Sequence, residues 1–111
     1  MTQKDRILLE RVAAIISRRL PDPGFCVERL ASEVDMSRSR LHRRLVRVAG
    51  TSPGRMIRQA RLFRAAELLR STDRSVMDIA VGVGYADPAH FTRSFKRRFG
   101  LTPTDFRARM S

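Results

Sequence analysis

The 111-residue chain repeats itself at a spacing of about half its length, and this self-similarity limits its fold more than any other feature. Leu30, Ala31, Val34 and Met36 align with Ile79, Ala80, Val83 and Tyr85 at an offset of 49. Leu41, Arg43, Leu45, Gly50 and Pro53 align with Phe91, Arg93, Phe95, Gly100 and Pro103 at an offset of 50. The change of offset puts one extra residue in the turn of the second copy. Each copy reads as a short helix, a tight turn and a longer basic helix, which is the helix-turn-helix pattern. Gly84 supplies the positive φ that such a turn commonly needs, and its counterpart Asp35 tolerates that region better than most residues. Ala31 and Ala80 are small where two helices must cross closely.

Apolar residues recur at helical spacing elsewhere, with no sustained alternation typical of strands. Leu8, Val12, Ile15, Ile16 and Leu20 trace one face of a first helix, which Pro21-Asp22-Pro23-Gly24 stops. Leu30, Ala31 and Val34 mark the second. Ser37 caps a third that carries Leu41, Leu45 and Val48 and ends at Gly50. Ser52-Pro53 opens a long fourth helix to about Arg70. Ser75 with Asp78 starts a fifth, Asp87-Pro88 a sixth through Phe91, Phe95 and Phe99, and Thr102-Pro103 a seventh containing Phe106. The expected fold is all-α, one domain over 1–111: a first lobe at about 5–50, a connecting helix at about 53–70 and a second lobe at about 75–109. The connecting helix has about 18 residues and a length of about 27 Å at 1.5 Å per residue. With the lobes added, the second helices are expected about 34 Å apart, near one turn of B-DNA.

Charge points to the partner. Lys and Arg total 23 against 11 acidic residues, a net +12, while 42% hydrophobic content excludes a disordered basic tail. Between Asp35 and Glu67 there is no acid but there are nine arginines, at 38, 40, 43, 44, 47, 55, 58, 61 and 64. Arg93, Lys96, Arg97 and Arg98 repeat the trend between Asp87 and Asp105. One-sign runs on both second helices cost self-repulsion, which a phosphate backbone relieves. A single Cys excludes a disulfide framework and a thiolate zinc site, and Cys26 reads as a small buried apolar residue. His42 and His90 lack metal-ligand spacing, Met36, Met56 and Met77 read as packing, and neither metal nor cofactor is expected. No apolar run reaches membrane-span length, and the N-terminus lacks the apolar core of a secretory signal, so a cytoplasmic protein without membrane contact is expected.

Helical phase selects the residues that face outward. With Leu41, Leu45 and Val48 inward, the opposite face of the third helix carries Ser39, His42, Arg43 and Val46. With Phe91, Phe95 and Phe99 inward, the sixth presents Ala89, Thr92, Arg93 and Lys96, with His90 at the edge. Ser39, His42, Arg43, Ala89, His90 and Arg93 are therefore the candidate base contacts. Arg43 and Arg93 offer the bidentate fork that fits the O6 and N7 acceptors of guanine, and Ala89 suits a thymine methyl. Arg38, Arg40, Arg47, Arg58, Thr92, Lys96 and Arg97 are the candidate backbone contacts.

These residues resemble the DNA-binding domain of the AraC/XylS family of bacterial transcription regulators. The second copy carries the match as Ser75-Val76-x-x-Ile79-Ala80-x-x-Val83-Gly84-Tyr85-x-Asp87-x-x-x-Phe91-x-Arg93-x-Phe95-Lys96-x-x-Phe99-Gly100-x-Thr102-Pro103. Leu30-Ala31, Met36-Ser37, Leu41-x-Arg43, Gly50, Ser52-Pro53, Ile57, Arg61-Leu62 and Ala65-x-x-Leu68-Leu69 agree. Asp35 stands where the family more often has Gly, and Met56 where an aromatic is common. The resemblance implies two helix-turn-helix lobes whose second helices enter successive major grooves of double-stranded DNA, and contact with RNA polymerase near a promoter. It also implies either the C-terminal output piece of a longer regulator, whose full-length form can be dimeric, or a free-standing small one; the domain itself is expected to be monomeric. The expected function is sequence-specific binding of duplex DNA for transcription regulation, without enzymatic activity. The alternative is a non-specific nucleic-acid-binding module, which equivalent outward arginines on helices disfavour. A repair alkyl-acceptor with a related helical domain needs a cysteine-rich zinc site that one Cys cannot supply.

Overall fold

Hydroxyl and carboxylate side chains open most of the helices by accepting from otherwise unpaired backbone N–H groups. Thr2 Oγ1 accepts from the Asp5 N–H at 3.1 Å, Ser37 Oγ from Arg40 at 3.1 Å, Ser52 Oγ from Arg55 at 3.3 Å and Ser75 Oγ from Asp78 at 3.0 Å. Asp87 Oδ1 accepts from Ala89 at 3.0 Å and Thr102 Oγ1 from Asp105 at 3.1 Å. The helices so started are α1 (Gln3–Arg19), α3 (Arg38–Ala49), α4 (Pro53–Ser71), α5 (Val76–Gly82), α6 (Pro88–Phe99) and α7 (Pro103–Met110), while α2 (Val27–Glu33) begins at Cys26 without a side-chain cap bond. This computed structural model describes all 111 residues, Met1–Ser111, and contains seven helices and no strand. The expected all-α class and helix order hold. α1 begins several residues before its first apolar position, because Thr2 caps it there.

The two turns open with the same backbone hydrogen bonds. The Met36 N–H donates to the Ala31 carbonyl at 3.0 Å, and the Tyr85 N–H to the Ala80 carbonyl at 2.9 Å. Asp35 takes φ 56° and Gly84 φ 96°, as the sequence comparison requires. Four residues separate α2 from α3 and five separate α5 from α6, so the inserted residue lies in the second turn. Gly50 and Gly100 then close α3 and α6 at φ 71° and 80°.

Cα packing divides the chain into two units, Met1–Leu20 with Gly24–Ala60 and Pro21–Pro23 with Arg61–Ser111. Each has its own core. In the first, Val12, Leu30, Leu41 and Leu45 are fully buried among Leu8, Ile15, Ile16, Phe25, Val34 and Ile57. In the second, Phe91 and Phe95 are fully buried with Ile79, Ala80 and Ala65. The Phe95 ring lies 4.6 Å from Phe99 and 5.3 Å from Phe106, the latter edge-to-face. Burial of each such ring is worth about 2–3 kcal/mol. α4 supplies Ile57 to the first core and Leu62, Ala65 and Leu69 to the second, so its two halves belong to different units.

Three expectations change. Met77 is 62% exposed on α5 rather than packed, and Cys26 is only half-buried. Arg61, counted above with the phosphate-facing run, is buried: its guanidinium donates to the carbonyls of Val83 at 3.0 Å and Asp22 at 3.3 Å. Burial lowers its pKa from the usual arginine range, and the carbonyl partners replace the lost water.

Candidate nucleic-acid interface

The buried stripe of each second helix determines what its other side displays. Leu41 and Leu45 are fully buried and Val48 partly so, which turns Ser39, His42, Arg43 and Val46 outward; all four are exposed. Phe91 and Phe95 do the same for α6, where Ala89, His90, Arg93, Lys96 and Arg97 are exposed and Thr92 is half-buried. Arg43 and Arg93 occupy equivalent positions, and neither has a carboxylate within ion-pair distance. The His90 ring packs on Tyr85 with centroids 5.4 Å apart at 74°, an edge-on contact that holds the imidazole beside the first turn of α6.

In the first unit the candidate residues gather around two concavities. Arg38, Ser39, His42 and Arg43 line the smaller, of about 320 Å³. Arg40, Arg43, Arg44 and Arg47 line the larger, of about 460 Å³, together with Thr2, Lys4 and Asp5 of α1 and Met36. Arg43 belongs to both. Arg58 is exposed on α4, outside either concavity.

Several charges in the arginine run are already engaged within the chain. Arg44 Nε donates to Asp5 Oδ1 at 3.2 Å, and Arg47 Nη2 lies 3.9 Å from the same oxygen. The Thr2 hydroxyl and the Arg44 guanidinium hold the Asp5 carboxyl below its usual range, against partial desolvation. Arg38 is paired with Glu28, whose carboxyl is lowered by its own backbone N–H, by Cys26 and by the Arg38 charge. Arg64 Nη1 lies 3.8 Å from Glu67 Oε2. Helical phase did not distinguish Arg38, Arg44 and Arg47, because their partners are on other helices, whereas Arg64 pairs within α4.

Reading of the sequence also missed Phe63. It is 47% exposed on α4, with the Arg98 guanidinium 4.9 Å above its ring and Phe99 edge-on at 5.8 Å. No three His, Cys, Asp or Glu side chains converge as a metal site, and no helix is long and apolar enough to cross a membrane.

Comparison with known proteins agrees with this geometry. A family described as a helix-turn-helix domain matches residues 30–109. The HTH-type transcriptional activator RhaS of Klebsiella pneumoniae is 40% identical over 83 residues, 75% of this chain and 30% of that protein. The chain thus corresponds to about a third of the length of such curated relatives. The crystal structure of the DNA-binding domain of AdpA, a global transcriptional factor, in complex with a target DNA matches with a TM-score of 0.84 and 32% identity over 92% of this chain and 90% of that one. An AraC-type transcriptional regulator from Chromobacterium violaceum shares the fold, with a TM-score of 0.88 over 99% of this chain and 97% of that one at 24% identity. The chain belongs to the helix-turn-helix family of AraC-type DNA-binding domains.

Proposed function

We propose that this chain binds double-stranded DNA sequence-specifically through the outer faces of α3 and α6 and acts in transcription regulation. The observation that carries the reading is the matched pair Arg43 and Arg93, exposed and free of carboxylates at equivalent positions of two helices whose preceding turns share the same opening hydrogen bonds. Each guanidinium is open to a guanine edge in the major groove. Ser39, His42, Ala89 and His90 complete the two base-reading faces. Arg38, Arg40, Arg47, Arg58, Thr92, Lys96 and Arg97 contact the phosphates. RhaS is named an activator and is more than three times the length of the matched segment, which supports an output domain in a larger regulator that works beside RNA polymerase in the cytoplasm. The domain binds as a monomer, because one chain carries both reading helices. It does no chemistry.

Selection of sites from random duplexes, followed by Arg43→Ala and Arg93→Ala, tests this. Each variant loses about 1–3 kcal/mol at the selected site and keeps its affinity for unrelated duplex. Arg58→Ala weakens both kinds of duplex alike and lowers the salt slope by about one unit. Equal losses on all duplexes from Arg43→Ala and Arg93→Ala would assign those residues to phosphate and leave the non-specific module as the better reading.

A further inference from the structure

The larger concavity of the first unit has more cationic side chains than its own carboxylate can neutralise. Lys4, Arg40, Arg43, Arg44 and Arg47 line it against the single acid Asp5, five charges to one. The Asp5 side chain is 12% exposed and Arg44 27%, whereas Arg47, 3.9 Å from the same oxygen, is 71% exposed. Arg44 therefore spends one of its five N–H donors on Asp5, and Arg47 is held loosely. Lys4, Arg40 and Arg43 have no carboxylate within 4 Å. A concavity of about 460 Å³ with four excess positive charges favours an anion strongly.

Its position identifies the anion. Arg43 forms a wall of this concavity and of the smaller one lined by Ser39 and His42. DNA whose base edges meet Ser39, His42 and Arg43 must carry a strand backbone along the flank of α3, and that flank is where Arg40, Arg44 and Arg47 converge. We propose that the concavity seats a backbone phosphodiester of the bound duplex, and that Asp5 is a built-in competing anion which this phosphate displaces from Arg47 and from part of Arg44. The inference rests on α3 being the base-reading helix. Asp5 then limits the sequence-independent part of the affinity, which a chain of net charge +12 would otherwise have in excess. It acts without touching a base, so it moves specific and non-specific binding together.

The test measures binding of the intact chain to a selected duplex and to an unrelated one across a range of salt. Asp5→Asn keeps the backbone N–H that Thr2 caps, and it should tighten both duplexes several-fold by a common factor and steepen the salt slope by about one unit. Arg40→Gln, at a residue with no carboxylate partner, should weaken both alike and flatten the slope by about one unit. In an Arg44→Gln/Arg47→Gln background the gain from Asp5→Asn should disappear, which a purely structural role for Asp5 would not produce. An unchanged slope in Arg40→Gln, or a gain from Asp5→Asn that persists in that background, overturns the proposal. So does saturation of the Arg44 Nε–H resonance by micromolar inorganic pyrophosphate, which would make the site one for a free ligand. If α3 is not the reading helix, Arg43→Ala keeps its specificity ratio, a result separate from every outcome for Asp5.

Discussion

Glu33 shows how much one side chain can do at the end of a short helix. Its carboxylate accepts from Arg19 twice, Nη2 at 3.1 Å and Nε at 3.3 Å, with Arg18 3.9 Å away, while its backbone carbonyl accepts from Arg11 at 2.9 Å. α2 is thereby clasped to α1. The Arg19 hydrogen bonds, and after them the nearby Arg19 and Arg18 charges, hold the Glu33 carboxyl below its ordinary value; Asp5 and Glu28 are lowered as well. A carboxyl lowered in the folded state contributes stability that is fully present above its unfolded pKa and disappears as pH falls through the folded one. Thermal midpoints should therefore be level from neutral pH to about 5 and drop below about 4.5, where unfolded carboxylates begin to bind protons. Glu33→Gln should lower the midpoint at pH 7 and flatten the acid limb. A midpoint that stays level to about pH 3 would show that these pairs contribute nothing.

At the scale of elements, the two second helices are built to one pattern with different materials. Leu45 and Phe95 hold matching inward positions, and both are fully buried. Truncation of either to Ala should cost about 2–5 kcal/mol, a large share of what so small a unit has. The chain has one Tyr and no Trp, and Tyr85 is buried in the second core, so tyrosine fluorescence follows Phe95→Ala directly. A loss below about 1 kcal/mol would mean that the ring is not packed as the structure has it. α4 follows a different plan from its neighbours. Its Ser52 cap and Pro53 correspond to Thr102 and Pro103 of α7, so its first turns repeat α7 before the helix runs on into the second core. The sequence signals its start clearly, yet which residues serve which core depends on neighbours far along the chain.

At the scale of the whole molecule, one chain carries two exposed helix faces, proposed above to read bases, that differ in composition: Ser39, His42 and Arg43 against Ala89, His90 and Arg93. A single chain so equipped should select a bipartite site without two-fold symmetry. Insertion of about five base pairs between the half-sites rotates one by roughly half a turn relative to the other. Specific binding should then fall to the level of unrelated duplex, as read by competition on the inserted site. Undiminished binding, or a palindromic site occupied by two chains, would mean that the two faces are not used together.

The amino-acid sequence alone determined what depends on near neighbours along the chain. The caps at Ser37, Ser75, Asp87 and Thr102, the positive φ at Asp35 and Gly84, and the inward stripes of α3 and α6 are all local or periodic, and duplication let each copy check the other. Residue type and phase likewise placed Arg43 and Arg93 on exposed faces. The state of the remaining charges was decided by tertiary structure. Arg61 and Arg44 look like their neighbours in the sequence, yet the first is buried on the Val83 and Asp22 carbonyls and the second is paired with Asp5, 39 positions away. Packing likewise leaves Met77 in solvent and places Arg98 over Phe63. An arginine's surroundings depend on which distant carbonyl, carboxylate or ring the fold brings beside it, and helical periodicity has no information about residues on another helix.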